Sequence, residues 1–242
     1  MDLRALAEQI KAWGQELGFQ KVGIAAADLP TDERHLLEWL AAGRHGEMEY
    51  MQRHGTKRAR PAELVPGTVR VISARMDYWP GGADPEEVLA NPALGYVSRY
   101  AVGRDYHKVI RTRLARLAER IAAAAGTAGY RAFTDSAPVL EKALARDAGL
   151  GWIGKHTCLI DRDGGSWFFL GEIYVDLPLP IDAPATAHCG TCTRCIEVCP
   201  TQAITAPYQL DARKCISYLT IEHREDIPEE FHAQIGDWIY GC

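Results

Sequence analysis

Apolar and polar positions recur along this chain with two periods, and the periods assign its elements. Leu3, Leu6, Ile10, Trp13 and Leu17 step by three, four, three and four residues, which puts them on one stripe of a helix. Asp2 stands where an N-cap belongs, and Gly18 where a left-handed C-terminal residue is needed. Residues 21–27 read as a strand. A second helix starts at Thr31, with Asp32 and Glu33 in the turn where the helix dipole favours acids, and stops at Gly43. Residues 68–78 form a longer strand rich in β-branched side chains. Residues 80–92 read as a loop, because breakers crowd in Pro80-Gly-Gly-Ala-Asp-Pro85.

Asp105 caps a helix running to about residue 125. Ile110, Leu114, Leu117 and Ile121 repeat at four, three and four, and Lys108, Arg111, Arg113, Arg116 and Arg120 occupy the other faces. A solvated face is the expected reading of those charges, ahead of a binding patch. Residues 130–134 form a strand that runs into Asp135-Ser-Ala-Pro138, and a helix follows to about residue 148. Asp161-Arg-Asp-Gly-Gly165 suits a hairpin turn between two strands. The second of these, 167–175, is densely apolar and expected at the centre of a sheet. Residues 176–187 hold three prolines and read as a linker. The expected class is α+β, divided into 1–178 and a compact cysteine-rich module at 179–242.

The 242 residues are 47% hydrophobic and 24% charged, a composition that excludes disordered, collagenous and coiled-coil classes. No apolar run approaches the roughly 18 residues a membrane helix needs, so no membrane partner is expected. The first residues open an amphipathic helix rather than a signal peptide. A net charge of −5 implies no whole-chain electrostatic grip on nucleic acid, though local basic patches remain available. No G-x-G-x-x-G follows a strand, which argues against a Rossmann site. Seven cysteines are present, six of them from Cys189 onward. An odd count without a secretory signal argues against a disulfide framework and for metal-bound thiolates in a reduced, cytoplasmic compartment.

Cys189-Gly-Thr-Cys192-Thr-Arg-Cys195-Ile-Glu-Val-Cys199-Pro200 has the spacing C-x2-C-x2-C-x3-C-P, the bacterial two-cluster ferredoxin run. Gaps of two residues let three thiolates wrap one corner of a 4Fe–4S cube. The fourth cysteine, followed by proline, points to a second cluster. Structural zinc uses paired knuckles rather than so short a run. Cluster one therefore takes Cys189, Cys192 and Cys195, and cluster two takes Cys199. Cys215, Cys242 and Cys158 remain, and Cys158 reads as a buried apolar thiol. With Cys215 and Cys242 as ligands, each cluster is one thiolate short. Cys242 stands where a second run of the same kind would begin.

Several segments follow one another in the order seen in epoxyqueuosine reductases. They are His45-Gly-Glu-Met-Glu-Tyr-Met51, Lys57-Arg-Ala-Arg-Pro61, Ser98-Arg-Tyr-Ala-Val-Gly-Arg-Asp-Tyr-His107, Asp135-Ser-Ala-Pro138, Gly149-Leu-Gly-Trp-Ile-Gly-Lys-His156, the cysteine run, and Cys215-Ile-Ser-Tyr-Leu-Thr-Ile-Glu222. Over nearly its whole length the chain resembles that family of cobalamin- and iron–sulfur-dependent tRNA-modification enzymes. The resemblance implies a cobalamin-binding α/β domain followed by a ferredoxin-like module with two 4Fe–4S clusters. It implies reductive deoxygenation of epoxyqueuosine to queuosine in the anticodon loop of tRNA, with electrons from an external low-potential donor. The family continues into a second cysteine run and a HEAT-like helical region that these residues do not contain. Cluster completion and part of the tRNA grip are expected there.

By the same resemblance Asp135 matches the proton donor. Protonating an epoxide oxygen calls for a raised carboxyl pKa, which burial beside an apolar corrin would supply. Read from the residues alone, Asp135 caps a helix beginning at Pro138. The expected cobalamin contacts are Asp135, Arg58, Ser98, Leu159, Leu170 and His223. Arg58 would pair with corrin amides or the tail phosphate. The two leucines would offer backbone groups or apolar cover, and His223 would approach cobalamin or tRNA. Lys155 and His156, after a Gly-rich turn, are expected to face the corrin or the tRNA. Two other readings share the architecture: a cobalamin-dependent reductive dehalogenase, and a non-enzymatic ferredoxin or cobalamin carrier. Dehalogenases usually carry a twin-arginine export signal, which is not seen here, and the Asp135 motif argues against a carrier.

Overall fold

A four-stranded antiparallel sheet organises the first part of the chain. The computed structural model describes residues 1–79, 81–126 and 129–242. In chain order its strands are β1 (Lys21–Ala26), β2 (Arg70–Asp77), β3 (Tyr96–Val97), β4 (Tyr130–Phe133), β5 (Trp152–Ile153), β6 (Leu159–Ile160), β7 (Phe168–Val175), β8 (Ile204–Ala206), β9 (Gln209–Leu210) and β10 (Trp238–Tyr240). Its helices are α1 (Leu3–Glu16), α2 (Pro30–Ala41), α3 (Tyr50–Arg53), α4 (Pro61–Leu64), α5 (Pro85–Leu89), α6 (Tyr106–Ala125), α7 (Glu141–Asp147), α8 (Arg194–Glu197), α9 (Ile216–Ile221) and α10 (Glu229–Ile235). The main sheet has the order β1-β2-β7-β4.

Strand alternation decides which helices cover which face. Ile72, Ala74, Ile173 and Val175 pack with Leu6 and Ile10 of α1 and Ile110, Leu114 and Leu117 of α6. Val71 and Tyr174 turn the other way and meet Ala143 and Leu144 of α7. Each fully buried leucine or isoleucine in these stripes contributes about 1.5–3 kcal/mol of transfer free energy. The two-residue period places Glu172 on the face of Tyr174, against α7, and it is fully buried there.

The periodic elements fall where the pattern places them. Asp2 caps α1, its Oδ1 accepting the Arg4 N–H at 2.9 Å, and Gly18 follows with φ +87°. Asp105 caps α6 through the His107 N–H at 3.1 Å, and Gly126 ends it with φ +68°. α2 begins at Pro30, one residue early, because proline's fixed φ suits the first helical position. β7 is central, between β2 and β4.

Four expectations change. The segment read as a loop contains α5, capped by Asp84, whose Oδ1 accepts the Glu86 N–H at 2.8 Å; Pro80 lies outside the described residues. The helix expected from Pro138 starts only at Glu141. Its N-cap residue is Leu140, so Asp135 caps nothing. The turn at Asp161 closes, with a bridge to Gly165, but the strands around it do not pair with each other: β6 pairs with β5, and β7 with β2 and β4. The linker is not loose. Leu177 and Leu179 enter the first core, and Asp182 accepts the Ile24 N–H at 2.9 Å and Lys11 Nζ at 2.7 Å.

The cysteine-rich part docks through the 44–48 loop. Ile216, Tyr218 and Leu219 of α9 and Ile235 of α10 pack with Trp39 and Met48. Trp39 Nε1 donates to the Leu210 carbonyl at 2.7 Å, and the Tyr218 hydroxyl accepts the Glu47 N–H at 2.9 Å. Gly46 has φ +58°, and a Cβ there would lie 2.5 Å from the Tyr218 hydroxyl, so only glycine fits beneath this ring. β10 closes the docking by pairing in parallel with β3.

Candidate active site and cluster module

Asp135 leaves the end of β4 in the left-handed region, with φ +54°. That conformation costs a non-glycine residue on the order of 1 kcal/mol, so the surroundings must hold it. Its backbone N–H donates to Glu141 Oε1 at 2.6 Å. Its Oδ2 accepts the Tyr106 hydroxyl and lies 3.0 Å from His107 Nε2. The other ring nitrogen of His107 is 3.1 Å from Asp105 Oδ1. Asp105, His107 and Asp135 thus form a chain along which a proton can pass from the surface to the carboxyl group. The Tyr106 ring is fixed by stacking on Phe169, at 4.0 Å and 6°. Burial, then the Asp135 hydrogen bond, push its hydroxyl pKa up, so it remains a donor.

The protein by itself does not bury Asp135: its side chain is 55% exposed. Any desolvation of this carboxyl must come from what binds over it. Behind it stand two further carboxylates. Glu141 is pushed up to about 7, by burial first. Glu172 is raised well above the usual range, by burial and then by the charge of Glu141. Tyr50 and Tyr100 also lie within the field of Asp135. A cavity of about 500 Å³ opens beside Tyr106, lined by Tyr78, Tyr100, Met76, Arg104 and Phe169 among others.

The five other expected cobalamin contacts come from separate parts of the chain. Arg58 lies at the end of a 3₁₀ turn and is buried; its Nη2 donates to the Tyr50 carbonyl at 2.7 Å, and its Nε has no partner. Burial lowers its pKa. Tyr50 in turn donates to Glu222, next to His223, at 3.0 Å. His223 has Nδ1 3.4 Å from Glu47 Oε1 and Nε2 3.3 Å from the Asp226 carbonyl. Ser98 is buried, with its N–H on the Tyr240 carbonyl at 2.8 Å. Leu159 and Leu170 share an apolar cluster with Ala145 and Leu150. Their carbonyls already accept Ser166 Oγ at 2.8 Å and Thr134 Oγ1 at 3.0 Å. The leucines therefore offer cover more than backbone groups.

Lys155 turns toward the cysteine run. Its Nζ donates to the carbonyls of Gly190 and Cys192 at 2.8 and 2.9 Å and so clamps the cysteine run. His156 Nδ1 accepts the Cys158 N–H at 3.0 Å. Cys158 is exposed rather than buried, although protein crowds its thiol into a concavity. Burial there opposes a larger set of lowering effects led by the His156 hydrogen bond, and the net shift is downward.

All seven cysteines are free thiols, and their sulfurs fall into two groups. Cys195 is raised by burial and by the neighbouring Cys189 and Cys192. Cys242 is pushed up to about 11 by burial, then by Cys215, Cys199 and Cys158. This is the division the ferredoxin rule requires, with Cys199 turned to the second group. The Ala203 N–H points at Cys199 Sγ from 3.2 Å, a donor of the kind that tunes cluster thiolates. Among the described residues no three His, Cys, Asp or Glu side chains are arranged to hold a single metal ion. A four-iron cube spreads its thiolates more widely. The donor set suits clusters, and six of the thiolates that two of them require are present.

Tyr106, His107, Glu141 and Glu172 were not singled out by sequence. The available signal for Glu172 is a lone carboxylate in the otherwise apolar run of β7.

An antiparallel sheet with an acidic cleft, joined to a module of two cysteine groups, defines a protein of the iron–sulfur class. The family model described as epoxyqueuosine reductase QueG, DUF1730, matches residues 58–136, and the 4Fe-4S double cluster binding domain matches residues 188–242. The epoxyqueuosine reductase of Xanthomonas campestris pv. campestris is 64% identical over 239 residues, covering 98% of this chain and 67% of that protein. This chain belongs to the epoxyqueuosine reductase family, and it spans about two thirds of the length of such relatives. A crystal structure of epoxyqueuosine reductase with an epoxyqueuosine-modified tRNA stem loop superposes with a TM-score of 0.90 at 28% identity, covering 100% of this chain and 64% of that one. The Bacillus subtilis enzyme, solved with its aspartate-bearing catalytic loop swung out of the active site, superposes at 0.87 and 27% identity, covering 100% of this chain and 63% of that one. Family membership sets aside the dehalogenase and carrier readings.

Proposed function

We propose that this chain carries the catalytic portion of an epoxyqueuosine reductase, in which Asp135 protonates the epoxide oxygen of epoxyqueuosine in tRNA. Two electrons and two protons remove that oxygen as water and leave the alkene of queuosine. The observation that carries the reading is Asp135 itself, exposed toward the cleft and held by Tyr106, His107 and Glu141. The loop named as catalytic in the Bacillus subtilis neighbour supports it. The two-part division at about residue 178 goes with this reading, as do a cytoplasmic location and an external low-potential electron donor.

Bound cobalamin would supply a reducible cobalt centre of high nucleophilicity, and the clusters would deliver its electrons singly. The residues fit such a group. Arg58 Nε is a buried donor without a partner, suited to a cofactor amide or phosphate. Leu159 and Leu170 would cover apolar surface, Ser98 would line the wall, and His223 would stand at the Glu222 side. The second sulfur group takes in Cys158 as well as Cys242, and Cys158 lies within the field of Tyr78 at the cavity wall.

The chain's own part is acid chemistry. Tyr106 and His107 orient the Asp135 carboxyl group, and the Asp105–His107 pair reloads it from solvent after each transfer. Asp135→Asn tests the reading: the variant should bind cobalamin and clusters as the wild type does and fail to convert epoxyqueuosine-tRNA. Conversion at the wild-type rate would refute it.

A further inference from the structure

We propose that Glu141, backed by the buried Glu172, is the positioning residue of the catalytic loop: its carboxylate holds the Asp135 amide and so keeps the acid turned into the cleft. The inference deepens the role proposed for Asp135 and rests on it. Tyr106 and His107 hold the Asp135 carboxyl group from α6, whereas Glu141 holds its backbone. Ser136 N–H and Val139 N–H bond within the loop, to the carbonyls of Thr134 at 2.6 Å and Ala137 at 2.8 Å. Arg111 reaches Ser136 Oγ only at 3.4 Å. The 2.6 Å bond from Asp135 to Glu141 ties the strained residue itself to α7, a helix anchored in the core by Ala143, Leu144 and Ala145.

Glu172 explains why Glu141 stays in place. It is 0% exposed, and neither carboxylate oxygen meets a donor from the rest of the described protein. A hydrogen joining it to Glu141 must come from a proton that the pair keeps. Burial of both groups and the charge of Asp135 favour keeping it. The groups facing the pair are Asp135 from the loop, Lys142 from α7, Tyr174 from β7 and Tyr106 from α6. Ser73 of β2 and Phe133 of β4 lie opposite Glu172 in register. Lys142 is the cation that favours ionisation. As pH rises and the pair loses its last proton, two buried like charges face each other beside Asp135. The latch then weakens on the alkaline side.

The test is amide hydrogen exchange across residues 134–137 in the full chain, corrected for intrinsic rates, beside turnover of epoxyqueuosine-tRNA. Glu141→Ala should speed exchange of the Asp135 amide about tenfold or more, as expected for loss of a charge-assisted bond, and lower kcat. Glu141→Gln keeps an acceptor oxygen and should restore protection. Wild-type protection should fall as pH rises and the pair loses its last proton, and Glu172→Gln should remove that fall. On the acid side, where the pair keeps its proton with or without the Asp135 charge, Asp135→Asn should leave exchange unchanged whatever its effect on turnover, so the latch and the acid role are judged separately. Unchanged exchange in Glu141→Ala, or equal exchange in the Ala and Gln variants, would overturn the proposal. If the alanine variant does not fold, wild-type protection that is flat with pH overturns it.

Discussion

Replacing Glu172 by Gln should make this protein more stable, and increasingly so as pH rises. Glu172 is fully buried on β7 without a donor for either oxygen, and Glu141 shares its environment. Both carboxyl groups are raised in the folded state, Glu141 from 4.5 to about 7 and Glu172 beyond the usual range. A raised carboxyl binds its proton more tightly when folded than when unfolded. Its contribution to stability is complete below the unfolded value and is lost as pH climbs through the folded one. For Glu141 that window runs from about 4.5 to about 7, and for Glu172 it runs upward from about 4.5. Glutamine is nearly isosteric, carries no charge and can donate its amide to Glu141, so the repulsion disappears. The expected gain is near zero around pH 5 and about 2–3 kcal/mol near pH 8. For a chain of this size it reads as a Tm difference of roughly 4–12 °C. Thermal melts of both proteins at matched pH values provide the assay. A difference that stays constant with pH, or a variant less stable than wild type at pH 8, would refute the shared-proton account.

Other perturbations probe how the cysteine module is held. Gly46→Ala puts a methyl group into the Tyr218 ring at a positive φ and should cost about 2 kcal/mol, seen as a Tm lower by roughly 4–8 °C and easier proteolysis of the module. Lys155→Met removes two charge-assisted bonds to the cluster loop and leaves the stem of the side chain. At this partly exposed site the loss is about 1–2 kcal/mol, so iron should pass to a chelator about five- to thirtyfold faster. An unchanged release rate would show that the clamp is ornamental.

The parts of this architecture that were legible in sequence are those with a local period. The stripes of α1 and α6 and the continuous apolar run of β7 report their burial directly, because a helix or central strand must hide those positions. The cysteine run is equally local, since its chemistry is set by spacing. What escaped depends on contacts far along the chain. The parallel pairing of β3 with β10 joins residues near 96 to residues near 239, and nothing near either announces the other. The hairpin expected at Asp161 fails because β2 and β4 take both hydrogen-bonding edges of β7 and leave none for β6. Glu141 and Glu172 are ordinary carboxylates until the fold sets them face to face behind Asp135. The late start of α7 is what frees residues 135–140 to form a loop rather than a helical cap.

The central claim is that thiolates in the second part hold iron clusters serving a corrinoid bound at the Asp135 cleft. Metal and sulfide analysis of protein loaded with iron, sulfide and cobalamin without oxygen tests it most directly. Iron and acid-labile sulfide should be found in equal amounts, together with stoichiometric cobalt. Zinc in place of iron, with no retained corrinoid, would contradict it.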